Sequence, residues 1–459
     1  MKNFSVVILA AGLGKRMNSS LPKVMHKLSG KPLIKWVVDS VSILKPDNLI
    51  LVLGWCSEVI EGFLSGNNIK IVYQEEQLGS GHALIQAGKI LRDYKGYILV
   101  LNADVPLIKS STLLSLIENN RETGASATVL IARVNNPFGY GRIILKDDIY
   151  LEKIVEEKDA TQVEKQIKEI NSGVYCFDEN LWKALLKLKP NNAKKEYYIT
   201  DIISILRELG KKVSSVMVED SYEVKGINTR TELCEVESML KERKIKELLS
   251  NGVTIIDINN VYISYDAKIG MDSVIYPGVF IDTGVSIGKK CIIKGSSYIK
   301  NSRIGDASTI LYSYIEDTVI SEKVKVGPFS HIRESSILKE NVKVGNFSEV
   351  KKSMISENSK VNHLSYLGNA QIGKDVNIGA GTITCNYDGI VKHDTVIGSG
   401  SFIGSNVNFV APVKIGEGVF IAAGSTITHN VPSGQFAIAR ARQRSKERKK
   451  STVDSKNSP

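Results

Sequence analysis

The stretch "KIGMDSVIYPGVFIDTGVSIGKKCIIKGSSYIK", residues 268–300, repeats a six-residue pattern. Isoleucine stands at every sixth position within it, at 269, 275, 281, 287, 293 and 299. An even period keeps every anchor on the same face of a strand, and a hexapeptide period is typical of a parallel β-helix. The pattern therefore predicts a β-helix whose core is built from these isoleucines.

The repeat continues beyond this stretch after a change of phase at Ile304. A last clean run of apolar anchors occupies positions 403, 409, 415, 421 and 427, and glycine often follows an anchor, which suits a tight corner. If three hexapeptides close a coil, roughly 190 residues form about ten coils, and at about 4.8 Å per layer the prism is about 50 Å tall.

Residues 384–395, "TCNYDGIVKHDT", interrupt the six-residue pattern. A solenoid expels extra residues as a loop on one face, which is often the binding face. The polar residues His363, Tyr366 and Asn377 lie close by in the sequence. The interruption therefore predicts an exposed loop beside a binding surface.

The first half of the chain alternates strand and helix patterns, with strand candidates at 5–10, 49–53, 70–73 and 97–101 and helix candidates at 33–44 and 82–91. Such alternation predicts a parallel sheet with helices on both faces. Ligands bind such sheets beyond the C-terminal ends of the strands, where Asp104 is expected. We predict domain bounds of 1–228 and 251–459. A connecting helix over 229–250 is expected to begin with a capping box at Thr229 and Glu232.

The distribution of charge along the chain bears on whether the protein binds nucleic acid. The chain has 60 basic and 49 acidic residues, a net charge of +11. Residues 440–450 carry seven basic residues and one acidic residue, so a tail with few aromatic residues for base stacking holds over half of the excess. We therefore expect no nucleic-acid partner. For residues 440–450, a solvated tail is favoured over a tail that binds an anionic ligand or a neighbouring subunit.

The chain lacks the sequence signals of membrane and secreted proteins. No apolar stretch approaches the roughly 20 residues that a membrane span needs, and no signal peptide is recognisable. Five scattered cysteines without a C-x-x-C motif favour reduced thiols and argue against a zinc site. A cytoplasmic protein without a membrane partner is expected.

A glycine-rich loop, "AAGLGKRM" at residues 10–17, follows the first strand candidate. Met17 stands where a dinucleotide-binding fingerprint has its third glycine, and the Gly-Lys-Ser/Thr of a Walker loop is absent. Backbone N–H groups at a helix start favour phosphate, and Arg16 and Lys23 suit a triphosphate whose leaving group gains charge. Asp104 is a candidate ligand for Mg²⁺.

The motifs "LAAGLGKRM", "LPKVMH", "QLGSGHA", "ADVPL", "GYGRI", "IVEEKDAT", "EINSGVYCF", "NNAKKEYYITD" and "KGIN" occur in this order. Together with the hexapeptide half, they resemble the family of bifunctional N-acetylglucosamine-1-phosphate uridylyltransferases and glucosamine-1-phosphate acetyltransferases, GlmU. The resemblance covers nearly the whole chain. It implies an α/β Rossmann-like nucleotidyltransferase domain followed by a left-handed parallel β-helix of hexapeptide repeats.

The resemblance implies a uridylyl-transfer site for UTP and N-acetylglucosamine-1-phosphate. Arg16 and Lys23 would neutralise the triphosphate, Gln74 would pair with uracil, and Asp104 and Asn228 would hold Mg²⁺. The implied nucleotide-binding and sugar-binding residues are Leu9, Ala10, Ala11, Gly12, Lys23, Gln74, Gly79, Ser80, Asn102, Ala103, Asp104, Gly141, Glu156, Asn171 and Asn228. Three departures from the family pattern stand at Lys15, Trp55-Cys56 and Ala103, and none removes a charged group that the reaction needs.

Acetyl transfer to an amine requires a base, and histidine suits that role near neutral pH. Of the six histidines, His363 lies within the family motif "NHLSYLGNAQIG" and is implied as the general base. The implied acceptor-binding residues are Arg333, Glu349, Lys351, Tyr366, Asn377, Asn386 and Tyr387. The implied acetyl-CoA-binding residues are Ala380, Asn386, Tyr387, Ser405, Ala423 and Arg440. The resemblance also implies a homotrimer.

Two alternatives remain open at the level of sequence. A nucleotidyltransferase whose β-helix serves only oligomerisation or regulation would not need His363 or the loop at 384–395. A non-enzymatic scaffold or nucleic-acid binder would depend on the basic tail, and its affinity for nucleic acid would fall with salt.

Overall fold

The computed structural model describes residues 3–54, 57–64, 68–146, 150–190, 192 and 195–447. The chain divides into two compact units, Met1–Met239 and Leu240–Pro459, and the division falls within a helix at Arg230–Ser250. Among the described residues, no helix is long and apolar enough to cross a membrane. The predicted bounds of 1–228, 229–250 and 251–459 stay a prediction.

The first unit is built on a twisted sheet. In spatial order its strands are Val213–Met217, Ala127–Arg133, Glu169–Phe177, Tyr97–Asn102, Phe4–Leu9, Asn48–Leu53 and Lys70–Tyr73. Arg142–Lys146 pairs with Glu169–Phe177 and with Tyr150–Val155, and the short strands Lys27–Leu28 and Lys31–Pro32 form a separate hairpin. The four predicted strands all form, with bounds that differ from the prediction by one residue at most.

The sheet is mixed, whereas the alternation of strands and helices predicted a parallel one. Phe4–Leu9 pairs in parallel with Asn48–Leu53 and with Tyr97–Asn102, as expected. Glu169–Phe177, however, runs antiparallel to both of its neighbours in the sheet. The sequence "EINSGVYCF" contributes to the family resemblance but does not indicate the direction of a strand, which is set by pairing with its neighbours.

Helices cover the two faces of this sheet. Phe4, Val6 and Ile8 belong to one buried cluster, whereas Val7 belongs to the other, as the alternation of side chains along a strand requires. The α-helices are Leu33–Ser42, Ser57–Leu64, Ser80–Leu91, Ser110–Thr123, Asn180–Leu185, Asp201–Glu208 and Arg230–Ser250. Short 3-10 helices lie at Lys15–Met17, Lys23–Met25, Glu164–Gln166 and Ser221–Val224.

The helix Arg230–Ser250 begins at the predicted capping box. Glu232 N donates to Thr229 Oγ1 at 3.1 Å, and Thr229 N donates in return to Glu232 Oε2 at 2.9 Å. These reciprocal bonds satisfy backbone donors that the first helical turn leaves without partners. A helix is therefore present over nearly the predicted range, and its role as a connection stays a prediction.

The second unit is the predicted β-helix, a left-handed coil with three parallel sheets as its sides. The first side contains Thr254–Ile255, Val274–Ile275, Ile292–Lys294, Thr309–Leu311, Lys325–Val326, Lys343–Asn346, Lys360–His363, Asn377–Ile378, Phe402–Ile403, Phe420–Ile421 and Phe436–Ala437. The second side contains Tyr262–Ile263, Phe280–Ile281, Tyr298–Lys300, Tyr314–Glu316, His331–Arg333, Glu349–Lys351, Tyr366–Gly368, Ile383–Cys385, Asn408–Val410 and Thr426–Ile427. The third side contains Lys268–Ile269, Ser286–Ile287, Arg303–Ile304, Val319–Ile320, Ile337–Leu338, Met354–Ile355, Ala370–Ile372, Thr395–Ile397 and Val413–Ile415.

Anchor residues of successive coils lie directly over one another. Ile269 is in register with Ile287 on the third side, and Ile275 is in register with Ile293 on the first. The phase change at Ile304 shortens one coil by a residue, and Ile304 is still in register with Ile287. All these side chains are buried in one continuous core. The predicted inward anchors and the prediction of about ten coils are thus confirmed within the described residues.

Buried serines and threonines add a second ladder at the corners of the coils, which the sequence analysis did not predict. Ser302 Oγ accepts the backbone N–H of Thr318 at 3.1 Å, and Ser353 Oγ accepts that of Ala370 at 2.9 Å. A corner leaves backbone groups outside the strand pairing, and a buried donor without a partner is costly. These hydroxyls satisfy such donors from one coil to the next.

We predict that Ile287→Ala destabilises the β-helix by about 2–5 kcal/mol, because it removes a buried side chain and leaves a cavity. Urea unfolding followed by circular dichroism measures this loss. Ser286→Ala is the matched control, since Ser286 is the exposed residue of the same two-residue strand. Equal losses in the two variants would contradict an inward anchoring role for Ile287.

Candidate functional sites

The glycine-rich loop lies at the C-terminal end of the strand Phe4–Leu9. Gly14 has a φ of 60°, and a Cβ added there would lie 2.6 Å from Lys23 Cβ. This glycine therefore permits both the left-handed turn and the close approach of Lys23. Met17 is almost fully buried, so the residue that replaces the third glycine of a fingerprint anchors the loop in the core.

A cavity of about 380 Å³ opens beside this loop. Its wall includes these predicted nucleotide-binding residues: Leu9, Ala10, Ala11, Gly12, Lys23, Gln74, Gly79, Ser80, Asn102 and Asp104. They come from the ends of three parallel strands, from the glycine-rich loop and the 3-10 helix Lys23–Met25, and from the start of the helix Ser80–Leu91. The structure thus brings together residues that are up to 95 positions apart in the sequence.

Sequence reasoning missed five described residues of the same wall, namely Leu13, Val24, Gln77, Ala83 and Glu196. Glu196 belongs to the motif "NNAKKEYYITD", which contributes to the family resemblance. The next residue, Tyr197, accepts a hydrogen bond from Gly81 N at 2.7 Å through its backbone oxygen. A segment from late in the first unit therefore closes one side of the cavity.

Lys23 connects the two predicted metal ligands. Its ammonium forms an ion pair with Asp104 and donates to Asn228 Oδ1 at 3.1 Å. Asp104 and Asn228 are far apart in the sequence, yet their side-chain oxygens meet at one cation. Asn228 is held in turn through its backbone N–H, which donates to Glu232 Oε2 at 2.6 Å.

The predicted sugar-binding residues form a second cluster in the first unit. A Cβ added at Gly141 would lie 3.5 Å from Asn171 Cβ and 3.7 Å from Glu156 Cδ. Asn171 N donates to Gly141 O at 2.9 Å, and Thr200 Oγ1 donates to Glu156 Oε1 at 3.2 Å. The three predicted residues are therefore neighbours.

Some predicted residues of the first unit lie elsewhere or differ from expectation. Ala103 is buried in the core and is not among the described residues that line the cavity. Arg16 and Lys15 are exposed on the 3-10 helix after the loop. Trp55-Cys56 lies outside the described residues.

The predicted acceptor-binding residues converge on the second side of the β-helix. Arg333 is in register with Lys351, and Glu349 is in register with Tyr366. Arg333 Nη2 donates to Glu349 Oε1 at 2.6 Å, and this bond raises the pKa of the arginine. Two cations, a carboxylate and a phenol thus occupy adjacent coils on one face.

Glu334 joins this cluster although sequence reasoning missed it. Its Oε1 lies 2.8 Å from Arg333 Nη1 and 3.1 Å from Lys351 Nζ. Because the two groups pair, Glu334 raises the pKa of Lys351, and Lys351 lowers the pKa of Glu334. The coil period could have found Glu334, since it stands 17 residues before Lys351 and beside Arg333.

The predicted acetyl-CoA-binding residues form a column along one edge of successive coils. Ala380 O accepts from Asn406 N at 2.7 Å, and Ser405 O accepts from Gly424 N at 2.8 Å. Ala423 O then accepts from the Arg440 guanidinium at 2.8 Å. Asn406 and Gly424 directly follow Ser405 and Ala423, so these bonds place Ala380, Ser405, Ala423 and Arg440 on successive coils.

His363 lies at the beginning of this column. Its backbone oxygen accepts from Gly381 N at 3.3 Å, one coil before the bonds just described. Its side chain is exposed, and Nδ1 lies 2.6 Å from Asn346 Oδ1. His363, the predicted base, therefore lies between this column of residues and Tyr366, where the next strand of the second side begins.

The interruption at 384–395 forms the predicted exposed loop. Tyr387 and Lys392 form an isolated bridge, and His393 Nε2 lies 2.7 Å from Asp388 Oδ2. The backbone N–H of Val391 and the imidazole of His393 lower the pKa of Asp388 to about 2. This network gives the loop a defined shape.

Asn386 and Asn377 differ in how closely they approach the acceptor cluster. Asn386 is buried and donates to Asn369 Oδ1 at 2.9 Å, and a Cβ added at Gly368 would meet both Asn386 and the Tyr366 hydroxyl. Asn377 is in register with Lys360. It is therefore about 10 Å from His363 along the strand direction, and the single chain leaves it apart from the cluster.

None of the described cysteines forms a disulfide. Cys176 and Cys291 are buried, whereas Cys234 and Cys385 are exposed. Burial raises the pKa of the Cys176 thiol above its usual range, so this group remains protonated. Within the described residues, no cluster of three or more His, Cys, Asp or Glu side chains could hold a metal ion.

Family models match both units. The model described as MobA-like NTP transferase domain matches residues 6–196. The GMPPB C-terminal domain matches residues 257–346, and the bacterial transferase hexapeptide (six repeats) matches residues 394–429. The nucleotidyltransferase fold and the hexapeptide β-helix are thereby confirmed.

Curated relatives match along almost the entire chain. The bifunctional protein GlmU of Caldanaerobacter subterraneus subsp. tengcongensis is 47% identical over 97% of both chains. Those of Acetivibrio thermocellus and Thermoanaerobacter pseudethanolicus are 46% and 48% identical, again over 97% of both chains. The chain therefore belongs to the GlmU family of bifunctional transferases.

Proposed function

We propose that the two sites catalyse consecutive transfers. The β-helix site acetylates glucosamine-1-phosphate with acetyl-CoA, and the loop site then transfers UMP from UTP to N-acetylglucosamine-1-phosphate. The observation that carries this proposal is the presence of two separate polar clusters, one around Lys23 and one around His363. Since both clusters are formed in one chain, the purely structural β-helix is the weaker alternative.

Uridylyl transfer requires charge neutralisation more than covalent help from the protein. A phosphate oxygen of the acceptor attacks the α-phosphorus of UTP, the bond to the β-phosphate oxygen breaks, and pyrophosphate leaves. Lys23 lies in the cavity wall, where its ammonium offsets the charge of the leaving group. The exposed Arg16, on the turn after the loop, adds a second cation.

The side chains at the loop site fit Mg²⁺. Asp104 and Asn228 present a carboxylate and an amide oxygen to one cation, the Lys23 ammonium, and Mg²⁺ prefers such oxygen ligands. Two protein ligands suffice because Mg²⁺ commonly completes its shell with substrate phosphates and water. When bound, the ion would neutralise phosphate charge in the transition state. Lys23 would then turn toward the phosphates.

Acetyl transfer requires a neutral amine and a stabilised oxyanion. His363 Nε2 takes a proton from the ammonium of glucosamine-1-phosphate, and the amine nitrogen attacks the thioester carbonyl. The carbon–sulfur bond then breaks, and CoA leaves as the thiol with the proton that His363 held. The nitrogen releases its remaining extra proton to solvent and becomes a neutral amide. Arg333 and Lys351 bind the sugar phosphate, for which they exchange their present contacts with Glu349 and Glu334.

The column Ala380, Ser405, Ala423 and Arg440 supports a CoA site that runs along the coil edge from His363. Arg440 begins the basic tail, and CoA carries several phosphates. The positive charge of the tail would then bind the phosphates of CoA, a substrate of the acetyl-transfer reaction. The nucleic-acid alternative loses its main support, because the tail begins at this column.

We further propose that the protein assembles as a homotrimer in the cytoplasm, with acetyl-transfer sites between subunits. An exposed apolar column supports the assembly: Phe329 and Phe347 stack at a centroid distance of 5.4 Å, between Tyr312 and Leu364. Together with Glu349 and Tyr366 they border a groove of about 740 Å³. Large exposed apolar patches are typical of protein interfaces. Another subunit at the site could also supply Asn377.

The most direct test combines the protein with UTP, Mg²⁺, acetyl-CoA and glucosamine-1-phosphate. We expect UDP-N-acetylglucosamine, pyrophosphate and free CoA thiol in equal amounts, measured by mass spectrometry and a thiol assay. Omission of acetyl-CoA should prevent formation of the acetylated product. Active protein that forms no UDP-N-acetylglucosamine would refute the proposal.

His363→Ala should lower acetyl transfer by about 10²–10⁴-fold, because it removes the base. Uridylyl transfer from UTP to N-acetylglucosamine-1-phosphate should remain unchanged. His429→Ala is the matched control, since His429 is an exposed histidine of the same β-helix. Retained acetylation in the first variant would remove His363 from the mechanism.

Asp104→Asn should show the reverse pattern. It removes the only carboxylate of the proposed metal pair, so we expect uridylyl transfer to fall by about 10²-fold or more while acetyl transfer persists. Pyrophosphate release measures the loss, with the exposed Asp93→Asn as a control. A uridylyl-transfer rate equal to that of the control would contradict the metal assignment.

A further inference from the structure

Asn346 is a polar residue of the β-helix to which the proposed mechanism gives no role. Its Oδ1 lies 2.6 Å from Nδ1 of His363, and its side chain is partly buried whereas that of His363 is exposed. With the amide in this orientation its oxygen accepts, and the imidazole carries its proton on Nδ1 to complete the bond. The other ring nitrogen, Nε2, then keeps a free lone pair.

The backbone fixes this contact from both sides. Asn346 and His363 are register partners on the first side of the coil, and Leu364 N donates to Asn346 O at 3.1 Å. On the opposite side, Gly381 N donates to His363 O. The position of the imidazole relative to Asn346 is therefore set by strand pairing across three successive coils.

Gly345 allows the two strands to approach at this point. A Cβ added at Gly345 would lie 1.9 Å from Asn362 O, a separation that no side chain tolerates. The glycine thus extends the strand Lys343–Asn346 far enough for Asn346 to reach His363. The close contact depends on a residue without a side chain, immediately before the asparagine.

The nearest charged residues along the chain stand three positions from this pair. Lys343 and Lys360 occupy the opposite ends of the two strands, three residues from Asn346 and His363 respectively. Glu349 follows Asn346 by three residues on the next side of the coil. Within the described residues, the imidazole of His363 forms its side-chain hydrogen bond with the neutral amide of Asn346.

We propose that Asn346 is a positioning residue for acetyl transfer, which holds His363 in the tautomer that presents Nε2 as the base. This inference rests on the proposed role of His363. A hydrogen-bond partner behind a working histidine commonly fixes its tautomer and ring orientation. Asn346 performs that role without placing a charge beside the ring.

Two variants of Asn346 test the proposal with different predicted outcomes. Asn346→Ala removes the acceptor, so we expect kcat for acetyl transfer to fall by about 10- to 100-fold, while KM for both substrates changes less than about threefold. Asn346→Asp keeps an acceptor and should recover most of kcat at alkaline pH. Its carboxylate favours the imidazolium, so the acidic limb of its pH–rate profile should move to higher pH.

The matched control is Asn341→Ala. Asn341 is an exposed asparagine in the same coil, and its amide donates across coils to Asn358 at 3.3 Å, away from His363. This variant should retain the kcat and pH profile of the unmodified protein. Circular dichroism and sedimentation establish that each variant keeps the fold and assembly, and Asn346→Asp provides the test if Asn346→Ala does not fold.

Two results would overturn the proposal. A third would instead count against the proposed function on which it rests. A kcat for Asn346→Ala within about twofold of the unmodified protein would exclude a positioning role. Equal losses of kcat in Asn346→Ala and Asn346→Asp, with an unchanged pH–rate profile, would indicate that Asn346 acts only through packing. That result would also overturn the proposal. If His363→Ala itself retained acetyl transfer, the failure would belong to the proposed function.

Discussion

The parallel ladder between successive coils is the constraint on which the second unit depends. It holds anchors 17 or 18 residues apart in register, as in Ile269 with Ile287, and it therefore holds their outward neighbours in register as well. Arg333 with Lys351 and Asn346 with His363 are outward pairs of this kind. A polar site on a β-helix is thus specified by the same period that builds its apolar core.

The loop site depends on a different principle. Its cavity lies where several strands of a twisted sheet end, so residues distant in the chain meet at one edge. Lys23, Asp104 and Asn228 lie on three separate connections between elements. The Lys23 ammonium contacts the side chains of both other residues. Gly14 contributes by the space that it leaves for Lys23.

The sequence predicts local periodicity well, because burial imposes it at every repeat. The isoleucine anchors, the exposed loop at 384–395 and the capping box at Thr229 were all predicted from short-range patterns. Most of the nucleotide cavity follows from motifs at strand ends. The family resemblance also identifies residues of the acetyl site, although it leaves their geometry open.

Other features depend on pairing between distant segments, which no local pattern records. The antiparallel direction of Glu169–Phe177 arises from its two neighbours in the sheet. Asn346 is recognised as a partner of His363 only when the two strands are paired in adjacent coils.

Glu232 links two features that a mechanistic account would otherwise treat separately. One carboxylate oxygen accepts the backbone N–H groups of both Asn228 and Thr229, so the start of a 21-residue helix and the placement of a candidate metal ligand have a common origin. Fraying of the first helical turn would release the backbone of Asn228 as well. Helix stability and ion affinity would then vary together, and heat or a helix-breaking substitution could weaken the metal site without altering any atom that touches the nucleotide.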